Sequence, residues 1–146
     1  MTLNKIAITF ILLLFITAGS FAQTKKPVAK SGGLAASMAG GKKIYSNICV
    51  SCHQADGGGV PNMNPPLIKT TYVLGNKTRL INIVLNGFTE NVEINGSTYS
   101  NTMPAHDFLK DQEIADVLTY VRNSFGNKAP AVTLAEVKKA RAAAKK

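Results

Sequence analysis

The sequence predicts a single small domain that is mainly helical and carries one short β-hairpin. Three segments repeat apolar residues with the period of an α-helix, and a fourth contains the Asn-Gly pair of a tight hairpin turn. A loop of more than twenty residues, rich in Gly and Pro, separates the first two helical segments. A loop of this length is uncommon in a compact domain unless it wraps around something. We therefore expect three to four helices and the hairpin to surround a group that is not part of the polypeptide.

The residues in front of the domain predict export and a linker. Residues 6–16 are apolar, Lys5 precedes them and small residues follow them, which is the layout of a cleavable signal peptide. We assign residues 1–22 to this signal, with an uncleaved anchor as the alternative. Residues 23–39 mix Lys, Pro, Gly, Ser and Ala without a sustained apolar period, so they predict a linker. The domain itself is placed at residues 40–126.

Two helices are predicted on either side of the long loop. The first runs from about Gly40 to the cysteines, and one of its faces carries Gly41, Ile44, Tyr45 and Ile48. The second covers residues 77–85 and is followed by Asn86-Gly87, a pair suited to a helix C-terminus. The Gly triplet and the prolines between the two helices argue against regular structure in the loop.

The C-terminal half predicts the hairpin and two further helices. Residues 92–99 place an Asn-Gly pair between two short extended segments, which favours a type I′ turn. A strong helix is expected from Asp111 to a stop at Gly126, with an apolar stripe of Ile114, Val117, Leu118, Val121 and Phe125. A basic tail, residues 127–146, contains the capping box Thr133–Glu136, which opens a short helix. That helix is too short to be stable alone, so we expect it to dock or to fray.

The formal charge of +9 lies mostly outside the predicted domain. Residues 40–126 carry equal numbers of basic and acidic side chains, and the excess is in the two terminal arms. We interpret these arms as solubilising ends, with weak steering toward an acidic partner or a membrane surface as the alternative. Nucleic acid is not an expected partner, because the chain has no interleaved aromatic and basic residues.

The segment Cys49-Val-Ser-Cys52-His53 contains both cysteines of the chain and one of its two histidines. Cys-x-x-Cys-His is the motif by which haem is attached covalently. The two thiols add across the vinyl groups on one edge of the porphyrin, and His53 then lies beneath the ring with its imidazole on the iron. One haem c, bound through Cys49 and Cys52, is therefore the predicted cofactor.

Three other uses of the cysteines fit less well. A thioredoxin-like pair belongs to a βαβ unit, whereas the regular structure expected here is helical. A zinc site needs two further ligands, and His106 is the only histidine left. A disulfide across this spacing would close too small a loop to stabilise the protein much.

The sequence resembles the class I, single-haem cytochrome c domains from about residue 40 to residue 126. The matching segments are GKKIY at 41–45, CVSCH at 49–53, PPL at 65–67, TMPA at 102–105 and VLTY at 117–120. The resemblance implies the cytochrome c fold around one covalent haem and a role as one-electron carrier. It also implies that Gly41 and Tyr45 pack across Tyr120. The carbonyl of Pro66 should accept a hydrogen bond from His53, with Pro65 as the other register. The family often binds a haem propionate through Trp, which is absent here, so the candidates are Tyr72, Arg79, Tyr99 and Asn101.

The sixth iron ligand is predicted to be Met103. Pro104 favours an extended backbone at the residue before it, so a stiff loop holds out the thioether. We interpret Met63 as a residue that fills a gap in the core. His106 and an open sixth site remain as alternatives. Ligation by His53 and Met103 leaves no vacant position for a substrate, so an enzyme is not expected.

These observations predict a carrier that moves single electrons between exported or membrane redox proteins in the periplasm. Its expected partners are a dehydrogenase, an oxidase or a reductase, and the chain should be monomeric outside any complex. The alternative is a dedicated haem subunit of an oxidoreductase complex, docked through the basic tail. A haem enzyme or gas sensor with an open sixth site is a further, less favoured alternative.

Overall fold

The computed structural model describes residues 33–144, and the predicted signal peptide at 1–22 lies outside the described residues. The helices are α1 (Leu34–Ile44), α2 (Val50–His53), α3 (Thr71–Leu74), α4 (Lys77–Asn86), α5 (Asp111–Asn123) and α6 (Leu134–Ala144). A π-helical turn, Tyr45–Cys49, joins α1 to α2. Two strands, β1 (Val92–Ile94) and β2 (Ser97–Tyr99), form an antiparallel hairpin. Within the described range, none of the helices has the length and apolar character needed to span a membrane.

The first helix begins at Leu34, six residues earlier than predicted, so part of the predicted linker is helical. Residues 34–39 are mostly Ala, Leu and Met, which are good helix formers. The hydroxyl of Ser37 also donates to the carboxylate of Asp116 on α5 at 2.6 Å. The linker was assigned from the lack of an apolar period, but these first turns lie largely exposed and need none.

Helices α1 and α5 cross in close contact at Gly41. A Cβ at this position would lie 2.7 Å from the Cβ of Tyr120, so only glycine fits. One turn further on, the Tyr45 ring packs against the rings of Tyr120 and Phe125, with centroids 5.5 and 5.2 Å away. The predicted contact of Gly41 and Tyr45 with Tyr120 is confirmed.

The long loop between the cysteines and α4 contains α3, a single helical turn that the sequence analysis excluded. Its N-terminus is capped by Thr70, whose Oγ1 accepts from the amide of Val73 at 3.2 Å. The Gly triplet and the three prolines lie before Thr70, so they do not interfere with this turn. Helix α4 follows as predicted and extends one residue further, to Asn86, with Gly87 beyond it at a φ of +77°.

The hairpin is confirmed, with Val92 paired to Tyr99 and Ile94 to Ser97. Asn95 and Gly96 both have positive φ, at 54° and 78°, as a type I′ turn requires. Helix α5 starts at Asp111 as predicted but ends at Asn123 instead of Gly126. Phe125, which was placed on the helical stripe, follows the helix at a φ of +57°. Its ring still reaches Tyr45, because the chain turns back after α5.

The C-terminal helix α6 docks on the domain. The capping box is present: Thr133 accepts from the amide of Glu136 at 3.3 Å, and the Glu136 carboxylate accepts from the amide of Thr133 at 2.8 Å. Val132, Val137 and Ala140 are buried in the same core cluster as α4 and α5. The folded unit therefore extends past the predicted boundary at residue 126 and includes the described part of the tail.

Two buried polar side chains join the long loop to the C-terminal segment. Arg122 is 2% exposed, and its guanidinium donates to the carbonyls of Val73, Gly75 and Pro130. Burial lowers the pKa of Arg122, while the negative charge of Glu136 acts in the opposite direction. Asn127 accepts from the amide of Lys69 at 2.7 Å and donates to the carbonyls of Leu67 and Val121.

Candidate haem site

A cavity of about 250 Å³ lies between the cysteine motif, α4, α5 and the loop that contains Met103. Its lining includes both cysteines, His53, Met103 and His106. Most of the wall is apolar, and the part that comes from α4, α5 and the segment before α5 includes Leu80, Ile83, Val84, Leu109, Val117, Leu118 and Val121. The residues predicted to bind the haem are therefore brought to one cavity from distant parts of the chain.

The two cysteines lie where the first helical segment ends. Cys49 is the last residue of the π-helical turn and Cys52 lies in α2, and no disulfide joins the two. Burial, together with the nearby thiol of Cys52, raises the pKa of Cys49 to about 11. Reactive redox cysteines have lowered pKa values, so this environment argues against a thioredoxin-like role.

The imidazole of His53 is oriented by one backbone carbonyl. Its Nδ1 lies 3.1 Å from the carbonyl oxygen of Pro65, so the assignment to Pro66 is wrong and the other register is correct. The sequence does not show which of the two adjacent prolines accepts from His53, because the turn that precedes them sets the positions of their carbonyls. Val60 and Asn64 pair across that turn, and the Gly59 amide donates to the carbonyl of His53 at 3.1 Å.

The surroundings of His53 favour a neutral ring. Burial, and to a smaller extent His106, lowers its pKa, while the hydrogen bond to Pro65 acts in the opposite direction. With Nδ1 donating to Pro65, the neutral ring presents the lone pair of Nε2. A neutral imidazole whose other nitrogen donates to a carbonyl is the usual state of a metal-binding histidine.

Hydrogen bonds hold both the backbone amide and the backbone carbonyl of Met103. Its amide donates to the carbonyl of Phe88 at 2.8 Å, and its carbonyl accepts from the Phe88 amide at 2.9 Å. Gly87 approaches this loop so closely that a Cβ there would lie 2.6 Å from the carbonyl oxygen of Met103. The Asn86-Gly87 pair was predicted only as a helix end, so its role against the Met103 loop was missed.

The two alternative ligand residues differ in position. Met63 is 49% exposed in the turn after the cysteine motif and is absent from the cavity lining, so its prediction as a core residue is wrong. Met63 lies in a short turn between glycines and prolines, so its side chain has no apolar core around it. His106 does line the cavity, and its buried Nδ1 has no hydrogen-bond partner among residues 33–144.

Three of the four candidate propionate partners also reach the cavity, namely Tyr72, Tyr99 and Asn101. Arg79 is outside the lining, and its guanidinium lies 4.0 Å from the centre of the Tyr72 ring. Asn101 donates to Asn64 at 3.1 Å, which links the Met103 loop to the loop after the cysteines. No candidate is singled out by these contacts.

The donor set fits a covalently bound haem. Two thiols lie at one end of an apolar cavity, an oriented neutral imidazole follows them, and a thioether lies on a separate segment of the lining. These features define a c-type cytochrome as the class of protein. The family model described as Cytochrome c matches residues 38–125, and the chain belongs to this family. Its cofactor is haem c, attached through Cys49 and Cys52, and its class of activity is electron transport.

Two kinds of relative share this domain. The chain is 37% identical over 120 residues to cytochrome c-552 of Thermus thermophilus, which covers 76% of this chain and 80% of that protein. It is 40% identical over 104 residues to the cytochrome c subunit of a quinone alcohol dehydrogenase of Komagataeibacter europaeus, covering 69% of this chain but 22% of the subunit. It is also 35% identical over 99 residues to the cytochrome c subunit of gluconate 2-dehydrogenase of Pantoea cypripedii, covering 66% of this chain and 22% of that subunit. The chain thus spans about a fifth of the length of the dehydrogenase subunits.

Proposed function

We propose that this protein is a freely diffusing one-electron carrier whose haem iron is ligated by His53 and Met103. The observation that carries the proposal is the pairing of an oriented imidazole at one side of the cavity with a thioether on a loop held by Phe88. The bound haem supplies an iron that alternates between Fe(III) and Fe(II). The similarity to cytochrome c-552 of Thermus thermophilus, at 37% identity over 120 residues, supports a carrier of this kind.

The residues of the cavity favour electron transfer over catalysis. Pro65 fixes the tautomer of His53 and increases the basicity of Nε2. The apolar residues that α4 and α5 contribute to the cavity would exclude water from a haem bound there, and this would lower the reorganisation that accompanies a change of charge. If His53 and Met103 both ligate the iron, no coordination position would remain for a substrate, so we propose that the chain is not itself an enzyme.

The sixth ligand is tested by comparing Met103→Ala with Met63→Ala. Loss of the thioether should remove the weak long-wavelength sulfur-to-iron charge-transfer band of the oxidised protein and lower the reduction potential. The reduced variant should also bind carbon monoxide. Met63 is the matched control, because it is an exposed methionine outside the cavity and its loss should leave all three properties unchanged. A band that survives Met103→Ala and disappears in Met63→Ala would overturn the proposed ligand in favour of Met63. A wild-type protein without the band would point to His106 or to an open sixth site.

A second function is favoured by the dehydrogenase relatives. The chain could serve as a dedicated haem subunit, since similar domains occur in the cytochrome subunits named above. The two functions are separated by purifying the native protein at moderate salt without crosslinker. A free monomeric carrier should elute alone, whereas a subunit should elute together with its dehydrogenase, oxidase or reductase.

We further propose that the protein is exported to the periplasm with residues 1–22 as a cleaved signal. The proposal rests on the apolar segment 6–16 and on the covalent haem. The mass of the native protein should correspond to a chain that begins at Gln23 and carries one haem. A chain that retains residues 1–22 would indicate the membrane-anchored form instead.

A further inference from the structure

We propose that Arg141, on α6, is a positioning residue that braces the segment following Met103 and so opposes detachment of the sixth ligand. The inference rests on the proposed ligation by Met103. Arg141 lies beyond the residues matched by the family model, which end at 125. Nothing in the family match therefore assigns it a role.

The guanidinium of Arg141 connects α6 to the loop in front of α5. Its Nη1 donates to the carbonyl of Asp107 at 2.9 Å, and its Nη2 donates to the carbonyl of Leu109 at 2.6 Å. Its Nε donates to the carboxylate of Asp111 at 2.6 Å. The planar fork therefore reaches three acceptors at once, which the single ammonium of a lysine cannot match.

The braced segment is the continuation of the Met103 loop. Upstream, Met103 pairs with Phe88, and the amide of His106 donates to the carbonyl of Val84 at 2.8 Å. Downstream, Asp107 and Phe108 are exposed. Among residues 33–144, the only hydrogen bonds from another element to Asp107 and Leu109 come from Arg141.

Arg141 is itself held in place by the docking of its helix. Val137 and Ala140, on the preceding turn, are 0% and 3% exposed in the core. Lys77 of α4 donates to both oxygens of Glu136, at 2.9 and 3.2 Å, and to the carbonyl of Ala131. The brace therefore connects a docked helix to the stretch between Met103 and α5, in which Asp107 is exposed and Leu109 is buried in the core.

Detachment of a loop-borne ligand requires the loop to move away from the iron. Breaking the contacts between Arg141 and the two carbonyls is part of that movement, so these contacts raise its free energy. Removing them should make transient opening more frequent while the haem attachment and His53 stay unchanged. The effect concerns the lability of the ligand, in addition to any loss of global stability.

The experiment measures how fast imidazole displaces the sixth ligand of the oxidised holoprotein, followed by loss of the charge-transfer band. Arg141→Ala should raise this rate by about tenfold, the factor that corresponds to the loss of one charge-assisted hydrogen bond. Arg141→Lys should give an intermediate rate, because it keeps the charge near Asp111 but cannot reach both carbonyls. Lys139→Ala is the control, since Lys139 is exposed on the same helix and its change should leave the rate unchanged.

Global unfolding in denaturant is measured in parallel to separate the two effects. The inference is overturned if Arg141→Ala has the same displacement rate as the wild type. It is also overturned if the displacement rate rises no more than the measured loss of global stability predicts. If Arg141→Ala does not mature, the comparison of Arg141→Lys with Lys139→Ala decides by the same criteria. If the wild-type protein lacks the charge-transfer band, the proposed ligation by Met103 is overturned. If the wild-type protein shows the band but Arg141→Ala leaves the displacement rate unchanged, only the role of Arg141 is overturned.

Discussion

His53 becomes suited to bind iron through two features of its immediate surroundings. The carbonyl of Pro65 fixes one ring nitrogen, and burial holds the pKa of the ring below its ordinary value. Neither feature lies within the five residues of the motif. The motif therefore identifies the ligand, while a loop twelve residues further along determines its orientation.

Covalent attachment is tested at the level of single residues. The haem of the mature protein should stay with the polypeptide through acid-acetone extraction and denaturing electrophoresis. Cys52→Ala should leave at most one thioether, which lowers the yield of mature protein and shifts the haem absorption of the denatured, reduced protein toward that of a haem with one free vinyl group. Ser51→Ala, between the two cysteines, is the control and should mature normally. Release of haem from the wild-type protein into acid-acetone would contradict the attachment.

At the scale of elements, the crossing of α1 and α5 depends on a single missing side chain. Gly40 and Gly41 are adjacent in α1, but only Gly41 meets the backbone of α5 and the Cβ of Tyr120. At Gly40 the atoms nearest to an added Cβ all belong to the Asp116 side chain, the closest being Oδ2 at 3.1 Å. The two glycines thus form a matched pair for testing the contact.

Gly41→Ala should lower the free energy of unfolding by about 1–3 kcal/mol, because the helices must move apart to admit a methyl group. Gly40→Ala should be neutral or slightly stabilising, since alanine is the better helix former. Denaturant unfolding of both holoproteins measures the difference. Equal stabilities for the two variants would show that the crossing tolerates a methyl group at Gly41.

The N-terminus of α6 should make stability depend on pH. Burial raises the pKa of Glu136, but the hydrogen bonds from Thr133 and Lys77 outweigh it, so the net pKa is lowered. A lowered pKa means that Glu136 stabilises the fold above its unfolded pKa of about 4.3. This contribution is lost as the pH falls through the folded pKa.

Glu136→Gln should therefore destabilise the protein at neutral pH, and the difference from the wild type should shrink as the pH falls below about 4. Because 39% of this side chain is exposed, solvent screening keeps the effect modest. Unfolding curves across this pH range give the measurement, with Glu93→Gln on the exposed side of the hairpin as control. A difference that stays constant with pH would exclude the carboxylate as its cause.

At the scale of the whole molecule, the C-terminal segment completes the domain. Val132, Val137 and Ala140 join the core, and Arg122 and Asn127 connect this segment to the long loop. The tail was interpreted from its charge as an arm for solubility or docking. Of its described cations, Arg141 pairs with Asp111, while Lys128, Lys138 and Lys139 are exposed.

Truncation after Gly126 should therefore destabilise the holoprotein strongly, by at least about 3 kcal/mol from the loss of buried valines alone. Denaturant unfolding of the truncated and full-length proteins checks this value. The double variant Lys138→Ala/Lys139→Ala removes exposed charge from the same helix and should keep wild-type stability. If the truncated protein were as stable as the full chain, the tail would be a separate arm that does not contribute to the fold.

Much of the local structure was predictable, because its causes lie close together in the sequence. The caps of α4 and α6, the Asn-Gly turn of the hairpin and the apolar stripe of α5 all involve residues within a few positions of each other. The start of α1 was misplaced, since Ser37 contacts a residue 79 positions away. The exposed position of Met63 was missed because the surroundings of a loop residue depend on what packs around it. The turn α3 was missed although its cap, Thr70 with Val73, is local.

The sequence by itself determined the cofactor and its anchors, because covalent attachment needs only two thiols and an imidazole at a fixed local spacing. It also placed Met103 on a stiff segment through the following Pro104. The tertiary structure alone decided that Pro65, and not Pro66, orients His53, that Gly87 and Phe88 hold the Met103 loop, and that α6 belongs to the domain. The physical reason is range: spacing along the chain specifies local chemistry, whereas loop register and helix docking depend on contacts between residues far apart in sequence.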